Sequence, residues 1–500
     1  MEAFFEYFIG GFATILHPTY ILYMLVGVSF GLILGFLPGM NGGMGIALML
    51  PFTYHMDALT ALVFLLSIYT GSLFGGAVTA IMINLPGAPS NIATLMDGYP
   101  MTLKGESNRA MGLALCSSVI GGLIGCVCLL CIAEPMANFA LRFGPAEMFM
   151  VVFFGLTVVG SLHDDIIKSL MAGCIGVLMG CVGISGVSGA NRGSMGFVYL
   201  LDGFPLVPTL IGLVALPELY NLVNQKKAHI TEVPQKDPGL KGLWKGAKEV
   251  FHYMKISIPC ALEGVIVGIM PAAGASIAGI MTYNQTKNLS KKRDQFGTGI
   301  PEGIVCCETA NNASEGGSLA TMFVLGIPGS TASAILLGAL MIQGWNPGPR
   351  LFVDHKDVIY TAFSSLFCQQ FVMLAVGILL CSVATQIVKI PTQYLIPVIM
   401  VCAILGSFAN RNTMFDAILM IVLSAIGFLM KKNDFPVMPL ILGVILGRTA
   451  DNEFVRIEQA YDSFFQIFTQ PIVLVLFIIS IVSLVAPIII RKRASKKASE

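Results

Sequence analysis

The chain has 500 residues, of which 55% are hydrophobic and only 11% charged, and its mean hydropathy is +0.81. A soluble domain carries roughly 25% charged residues, so the composition excludes an ordinary water-soluble enzyme and indicates a polytopic protein in a lipid bilayer. The net charge of +1 leaves no broad basic surface, and nucleic acid is excluded as a partner.

The first elements are apolar, and no Lys or Arg precedes Lys104. Residues 4–17 predict a helix along the interface or a short tilted span. The stretch 19–53 predicts a helix broken at Pro38-Gly39, because proline removes a backbone donor and glycine admits angles a helix cannot use. At ~1.5 Å per residue the two pieces are roughly 28 and 20 Å long. The second falls short of a ~30 Å hydrocarbon core, which predicts a re-entrant hairpin. Residues 58–103 predict a broken helix interrupted at Asn84-Leu-Pro86-Gly87-Ala-Pro89-Ser90-Asn91. Spans follow near 110–133, 146–161, 166–185 and 205–222. Cys126, Cys128 and Cys131 lie mid-helix in this region with no partner set elsewhere, so they read as packing residues.

Residues 223–255 are a basic linker. Within it Leu243, Ala247, Val250, Phe251 and Met254 share one helical face, which predicts an amphipathic helix on the membrane surface. The second half then repeats the first. Residues 256–283 form an apolar stretch centred on Pro271, with basic flanks on both sides; both ends belong in the cytoplasm, as in a re-entrant hairpin. Residues 298–343 predict a broken helix carrying Glu308, Asn311, Asn312 and Glu315, interrupted at Gly326-Ile-Pro328-Gly329-Ser330-Thr331. Spans are predicted near 359–388, 392–409, 414–430, 436–448 and 471–490, before a basic tail at 491–500.

The expected fold is therefore an all-α polytopic membrane protein with two repeats, 1–222 and 256–490, joined by the linker 223–255. Placing the basic loops and the C-terminus in the cytoplasm makes the repeats inverted, the arrangement used for alternating access. An elevator-type movement of one part against the outer spans fits this plan.

Paired breaks in two halves of a chain point to a transporter's binding site. Half-helix N-termini suit an anion, which nominates Asn41, Gly42, Pro86, Gly87, Ser90, Asn91, Ser276, Asn311, Asn312, Pro328, Gly329, Ser330 and Thr331 for a carboxylate substrate. Unwound carbonyls and half-helix C-termini suit a cation, which nominates Gly39, Asn84, Gly274, Gly326 and the intramembrane acid Glu308. The same small residues serve close helix packing equally well, and the amides serve as caps. Asp97 caps a turn or meets the ligand. No catalytic residue, cofactor or resident metal is expected, with Na⁺ or H⁺ as the coupling ion. A membrane-embedded hydrolase and a passive anion channel stand as alternatives; the first lacks a His-Glu-x-x-His signature.

The stretches Gly35-x-x-Pro38-Gly39, Tyr69-x-Gly-x-x-x-Gly75-Gly76, Asn84-Leu-Pro86-Gly87 and Asp97-Gly98-Tyr99-Pro100-Met101 carry a further signal. So do Phe296-Gly297, Glu308-x-Ala-Asn311-Asn312-Ala, Leu325-Gly326-Ile-Pro328-Gly329 and Gly344-x-x-Pro347-Gly348-Pro349. Together they resemble the large membrane subunit of the tripartite tricarboxylate transporter family across nearly the whole chain. The resemblance implies ion-driven symport of a carboxylate such as citrate, in a bacterial inner membrane. It also implies two partners, a small membrane subunit and a periplasmic solute-binding protein.

Overall fold

The computed structural model describes residues 2–37, 40–162, 165–217, 219, 236, 239–271, 274–387 and 395–499. Pro38 and Gly39 of the first break, Ala272 and Ala273 of the second, and most of the linker's first part lie outside the described residues.

The chain opens with α1 (Glu2–Ile15) and α2 (Pro18–Gly35). The next helix, α3 (Gly42–Met49), starts at Asn41, whose Oδ1 accepts the Met44 N–H at 3.0 Å. Such a cap satisfies one of the amides a helix start leaves unpaired. Helix α4 (Ala58–Ile83) is buried along its length and ends at Asn84, in the left-handed conformation at φ 57°. A 3₁₀ turn at Pro89–Asn91 leads into α5 (Ile92–Leu103), and α6 (Ser107–Ala140), α7 (Pro145–Leu162) and α8 (Ile166–Gly180) follow. A short antiparallel pair, β1 (Gly183–Ile184) and β2 (Asn191–Arg192), precedes α9 (Leu206–Leu210).

Beyond the linker lie α10 (Leu240–Glu249), α11 (Met254–Ile269), α12 (Gly274–Leu289) and α13 (Pro301–Leu325). Helix α13 ends as α4 does, on a left-handed cap, here Gly326 at φ 68°. Then come α14 (Thr331–Ile342), α15 (Leu351–Asp354), α16 (Lys356–Ile387), α17 (Leu395–Arg411), α18 (Met414–Lys432), α19 (Val437–Ala460) and α20 (Pro471–Ser499). The helix α20 continues through the basic stretch that ends the sequence. Six helical stretches among the described residues are long and apolar enough to cross a membrane, so the chain is an all-α, multi-pass membrane protein.

Two compact units emerge: Met1–Ala137 with Glu218–Asn410, and Asn138–Pro217 with Arg411–Glu500. In the first, α2 crosses α4 so closely that a Cβ on Gly31 would stand 2.3 Å from the Ile68 carbonyl oxygen. Helix α11 crosses α13 in the same manner, with Gly264 against the Ala310 carbonyl and Gly268 against the Ser314 carbonyl. Small residues allow such approach where lipid supplies no hydrophobic drive between helices. Helix α6 completes the packing, with Gly121 against Thr309 and Gly125 against Ala313.

Helix α10 forms inside the expected amphipathic stretch, yet its apolar face divides. Leu243 on α10 and Val250 just past its end are buried with residues of α6, whereas Phe251, next along the same stretch, is 64% exposed. The Leu243 carbonyl rests on Gly112, and Arg109 holds Glu249 through two 2.7 Å hydrogen bonds. Protein therefore covers part of the face that the sequence assigned to the membrane surface.

The second unit is held by the same device. Gly176 abuts the Leu440 carbonyl, and Gly443 abuts that of Gly173, so α8 and α19 lie backbone to backbone. Arg411 pairs with the wholly buried Asp416 at 2.5 Å.

Candidate functional site

Three helix starts converge in the first unit. Gly43, in the first turn of α3, lies against Thr331 and Ala332 of α14. Gly274, the first residue of α12, lies against Gly329 and Ser330. Ser330 itself caps α14, its Oγ accepting the Ser333 N–H at 3.1 Å while Ser333 Oγ accepts the Ser330 N–H at 2.8 Å. Each start contributes the partial positive charge of a helix N-terminus. From α4, Tyr69 reaches this point with its Oη 3.0 Å from Ser330 Oγ, and Ser72 lies beside Gly42. Ser318 Oγ donates to Ser333 Oγ at 2.9 Å. The place is lined with hydroxyls and amides, and among the described residues no ion pair of a basic side chain reaches it.

A second polar cluster surrounds Glu308, on the buried helix α13. Thr94 and Asn91 donate to its Oε1, and Ser118 donates to its Oε2 at 2.9 Å. Asn91 and Asn311 also point their amide nitrogens at the Leu73 carbonyl, at 3.5 and 3.4 Å. Three donors, two from the turn and helix at 89–103 and one from α6, thus hold the Glu308 carboxyl in place. Beside it the Oδ1 atoms of Asn311 and Asn312 are buried with no donor in reach. Buried polar atoms are rarely left so, and both remain available as acceptors.

Glu315, two turns further along α13, has different company. Thr70 Oγ1 lies 2.9 Å from its Oε1 and 3.0 Å from Gln369 Oε1. Asp97 is different again, because all of its partners are structural. Its Oδ1 accepts the N–H groups of Gly297, Gly299 and Ile300 at 2.9, 2.7 and 3.0 Å, and its Oδ2 accepts the Tyr283 hydroxyl at 2.8 Å. The loop curls around the carboxylate because Gly297 and Gly299 adopt φ of 90° and 95°, a region that favours glycine.

The nominated residues are thus partly assembled. Asn41, Gly42, Gly274, Gly329, Ser330 and Thr331 meet at the three helix starts. Asn91, Asn311 and Asn312 gather around Glu308, with the buried Ser90 next to Asn91. Gly87 packs between the Gly35 carbonyl and Gly76; Pro86 precedes it and Pro328 precedes Gly329 in the two breaks. Asn84 and Gly326 serve as helix C-caps, and Ser276 is exposed on α12. Gly39 lies outside the described residues. The sequence reading missed Tyr69, Ser72, Thr94 and Ser118 as site-lining groups. Hydroxyls within apolar helices carry no local signal; only Tyr69 stood in a recognisable motif.

A multi-pass helical membrane protein with interrupted helices gathered around buried polar clusters belongs to the transporters in its architecture. The chain matches the tripartite tricarboxylate transporter TctA family over residues 21–442, and it belongs to that family. It is therefore a tricarboxylate-transporter membrane subunit. Two relatives come from Agrobacterium vitis. An uncharacterized 52.8 kDa protein in the TAR-I ttuC' 3' region is 32% identical over 441 residues, covering 87% of this chain and 86% of the relative. An uncharacterized protein in the TAR-II ttuC' 3' region is 30% identical over 184 residues, covering 37% of this chain and 76% of the relative. No solved structure matches the chain.

Proposed function

We propose that the protein carries out cation-coupled symport of di- and tricarboxylates such as citrate across a bacterial inner membrane. It does so with a small membrane subunit and a periplasmic solute-binding protein, and its C-terminus is cytoplasmic. The observation that carries this reading is the meeting of three helix starts at Ser330, with the Tyr69 hydroxyl alongside. N-terminal helix dipoles favour a carboxylate without any basic side chain. The coupling cation belongs at Glu308, where an anionic oxygen pair is already oriented by Thr94, Ser118 and Asn91. The buried acceptors of Asn311 and Asn312 suit a substrate hydroxyl.

The two halves read as inverted repeats working by an elevator-type movement. Matching close contacts support the repeats: Gly87 rests on the Gly35 carbonyl as Gly329 rests on the Gly268 carbonyl. That both polar clusters belong to one compact unit supports the movement.

The test is uptake of radiolabelled citrate by proteoliposomes holding this chain and its two partners, with sodium and proton gradients imposed separately. Saturable, gradient-dependent uptake is expected, and Ser330→Ala and Asn312→Ala should impair it while inserting normally. Uptake that neither saturates nor follows either gradient would overturn the reading in favour of a channel. Normal transport by both variants would overturn the site.

A further inference from the structure

Helix α13 carries two buried acids in unlike settings. Glu308 is served by three donors; Glu315 is served by one contested hydroxyl. The Thr70 hydroxyl has a single hydrogen but faces two acceptors, Glu315 Oε1 at 2.9 Å and Gln369 Oε1 at 3.0 Å.

The orientation of Gln369 is fixed by its other end. Its Nε2 donates to the Val63 carbonyl at 3.4 Å and to Ser365 Oγ at 3.1 Å. Ser365 commits its own hydrogen to the Ala362 carbonyl at 2.7 Å, so it must accept from Gln369. Turning the amide over would set its oxygen against the Val63 carbonyl. Gln369 therefore presents oxygen to Thr70. With Glu315 ionised, one of two buried acceptors goes without a hydrogen, at a cost of about 1–3 kcal/mol. One added proton closes the chain: Glu315 O–H donates to Thr70 Oγ1, and Thr70 O–H donates to Gln369 Oε1.

We propose that Glu315 is a proton-binding site, separate from Glu308, whose neutral form is the one held in this structure by Thr70 and Gln369. The proton comes from water and returns to it. On its release Thr70 turns its hydrogen to the carboxylate, and Gln369 Oε1 loses its partner.

The surroundings agree. Thr70 and Gln369 are fully buried while Glu315 retains 4% exposure. Among the described residues, Tyr69 from α4 and Cys126 from α6 lie within electrostatic reach of its carboxyl. Helix α16 offers the uncharged Gln369, and the acids of α5 and α11 are engaged elsewhere, Asp97 with the 297–300 loop and Glu263 beside Gln285. No basic side chain among the described residues pairs with Glu315.

Tyr69, next to Thr70 in sequence, touches Ser330. A charge on Glu315 would therefore oppose an anion at the helix starts, and its neutralisation would admit one. This coupling to uptake rests on the proposed function; the protonation itself does not.

Two measurements separate them. Infrared difference spectra of the purified chain at neutral and alkaline pH, without substrate, should show the carbonyl band of a protonated carboxylic acid. Glu315→Gln should lose that band and Glu308→Gln should keep it. Thr70→Val should move it, because the acid's O–H loses its acceptor. A band that survives Glu315→Gln, or stays in place in Thr70→Val, would overturn the proposal.

In proteoliposomes with the partner subunits, Glu315→Gln should lose citrate accumulation driven by a proton gradient; accumulation at the wild-type level would also overturn it. If the wild type carries no carboxylate while the infrared result holds, the transport reading has failed and the proton site stands.

Discussion

The hydroxyl of Tyr69, on the buried helix α4, lies 3.0 Å from the hydroxyl of Ser330, the cap of α14. Either hydroxyl can donate to the other, and Tyr69 can turn its hydrogen from Ser330 toward a ligand. If a carboxylate binds at these helix starts, Tyr69→Phe removes one donor from it. The expected effect is a loss of about 1–1.5 kcal/mol of binding, read as a KM for citrate raised about tenfold. Membrane insertion and melting temperature should not change. An unaltered KM would remove Tyr69 from the site.

Asp97 is expected to matter for folding rather than for binding. Its carboxylate satisfies three backbone N–H groups of the 297–300 loop and the Tyr283 hydroxyl. Asp97→Ala strands all four donors, and bonds to a charged group contribute roughly 1.5–3 kcal/mol each. A sharp fall in the detergent melting temperature and in yield is expected. Asp97→Asn should be milder, since one oxygen still faces the loop. A wild-type melting temperature combined with lost uptake would make Asp97 a ligand residue instead.

These two residues show what the sequence could and could not convey. Helix ends near Gly35, Asn84, Met270 and Gly326 were legible, because proline and glycine act through their own backbone and need no distant partner. The polar character of Glu308 and Asn311 was legible too, since such residues are costly in an apolar run. Their company was not. Thr94 and Ser118 come to Glu308 from α5 and α6, more than a hundred residues away, and nothing local marks either hydroxyl as its donor. Asp97 read equally well as cap or ligand until the loop that it holds was in view. The linker's helix was legible but not all of its surroundings: Leu243 and Val250 have the spacing of a membrane-facing stripe, and spacing cannot tell lipid from the flank of α6.

Close backbone crossings set a second stability test. A Cβ at Gly268 would stand 2.2 Å from the Ser314 carbonyl, whereas at Gly10 it would meet nothing within 4 Å. Gly268→Ala should therefore force α11 away from α13 and cost about 1–3 kcal/mol through overpacking. Gly10→Ala should be neutral or slightly stabilising, because alanine is the better helix former. Thermal unfolding of the two variants in one detergent decides the matter. Equal melting temperatures would mean that the crossing is looser than its geometry indicates.

The linker's docking on α6 has a pH signature. Burial alone would raise the Glu106 carboxyl, but hydrogen bonds from Lys236 at 2.9 Å and Arg109 at 2.6 Å outweigh it and hold the group below its ordinary value of 4.5. A depressed carboxylate adds stability that is complete above its unfolded value and lost as pH falls through the lower folded one. The contribution is therefore whole at neutral pH and declines below 4.5. Melting temperatures followed from about pH 7 down to about pH 3 should fall more steeply in the wild type than in Glu106→Gln, with the two curves converging at the acid end. High salt should shrink the difference at neutral pH, since Lys236 is 60% exposed and exposed pairs are screened. Parallel curves would show that the ions around Glu106 add nothing to the linker's hold, leaving it to the Arg109–Glu249 pair and to Leu243 and Val250.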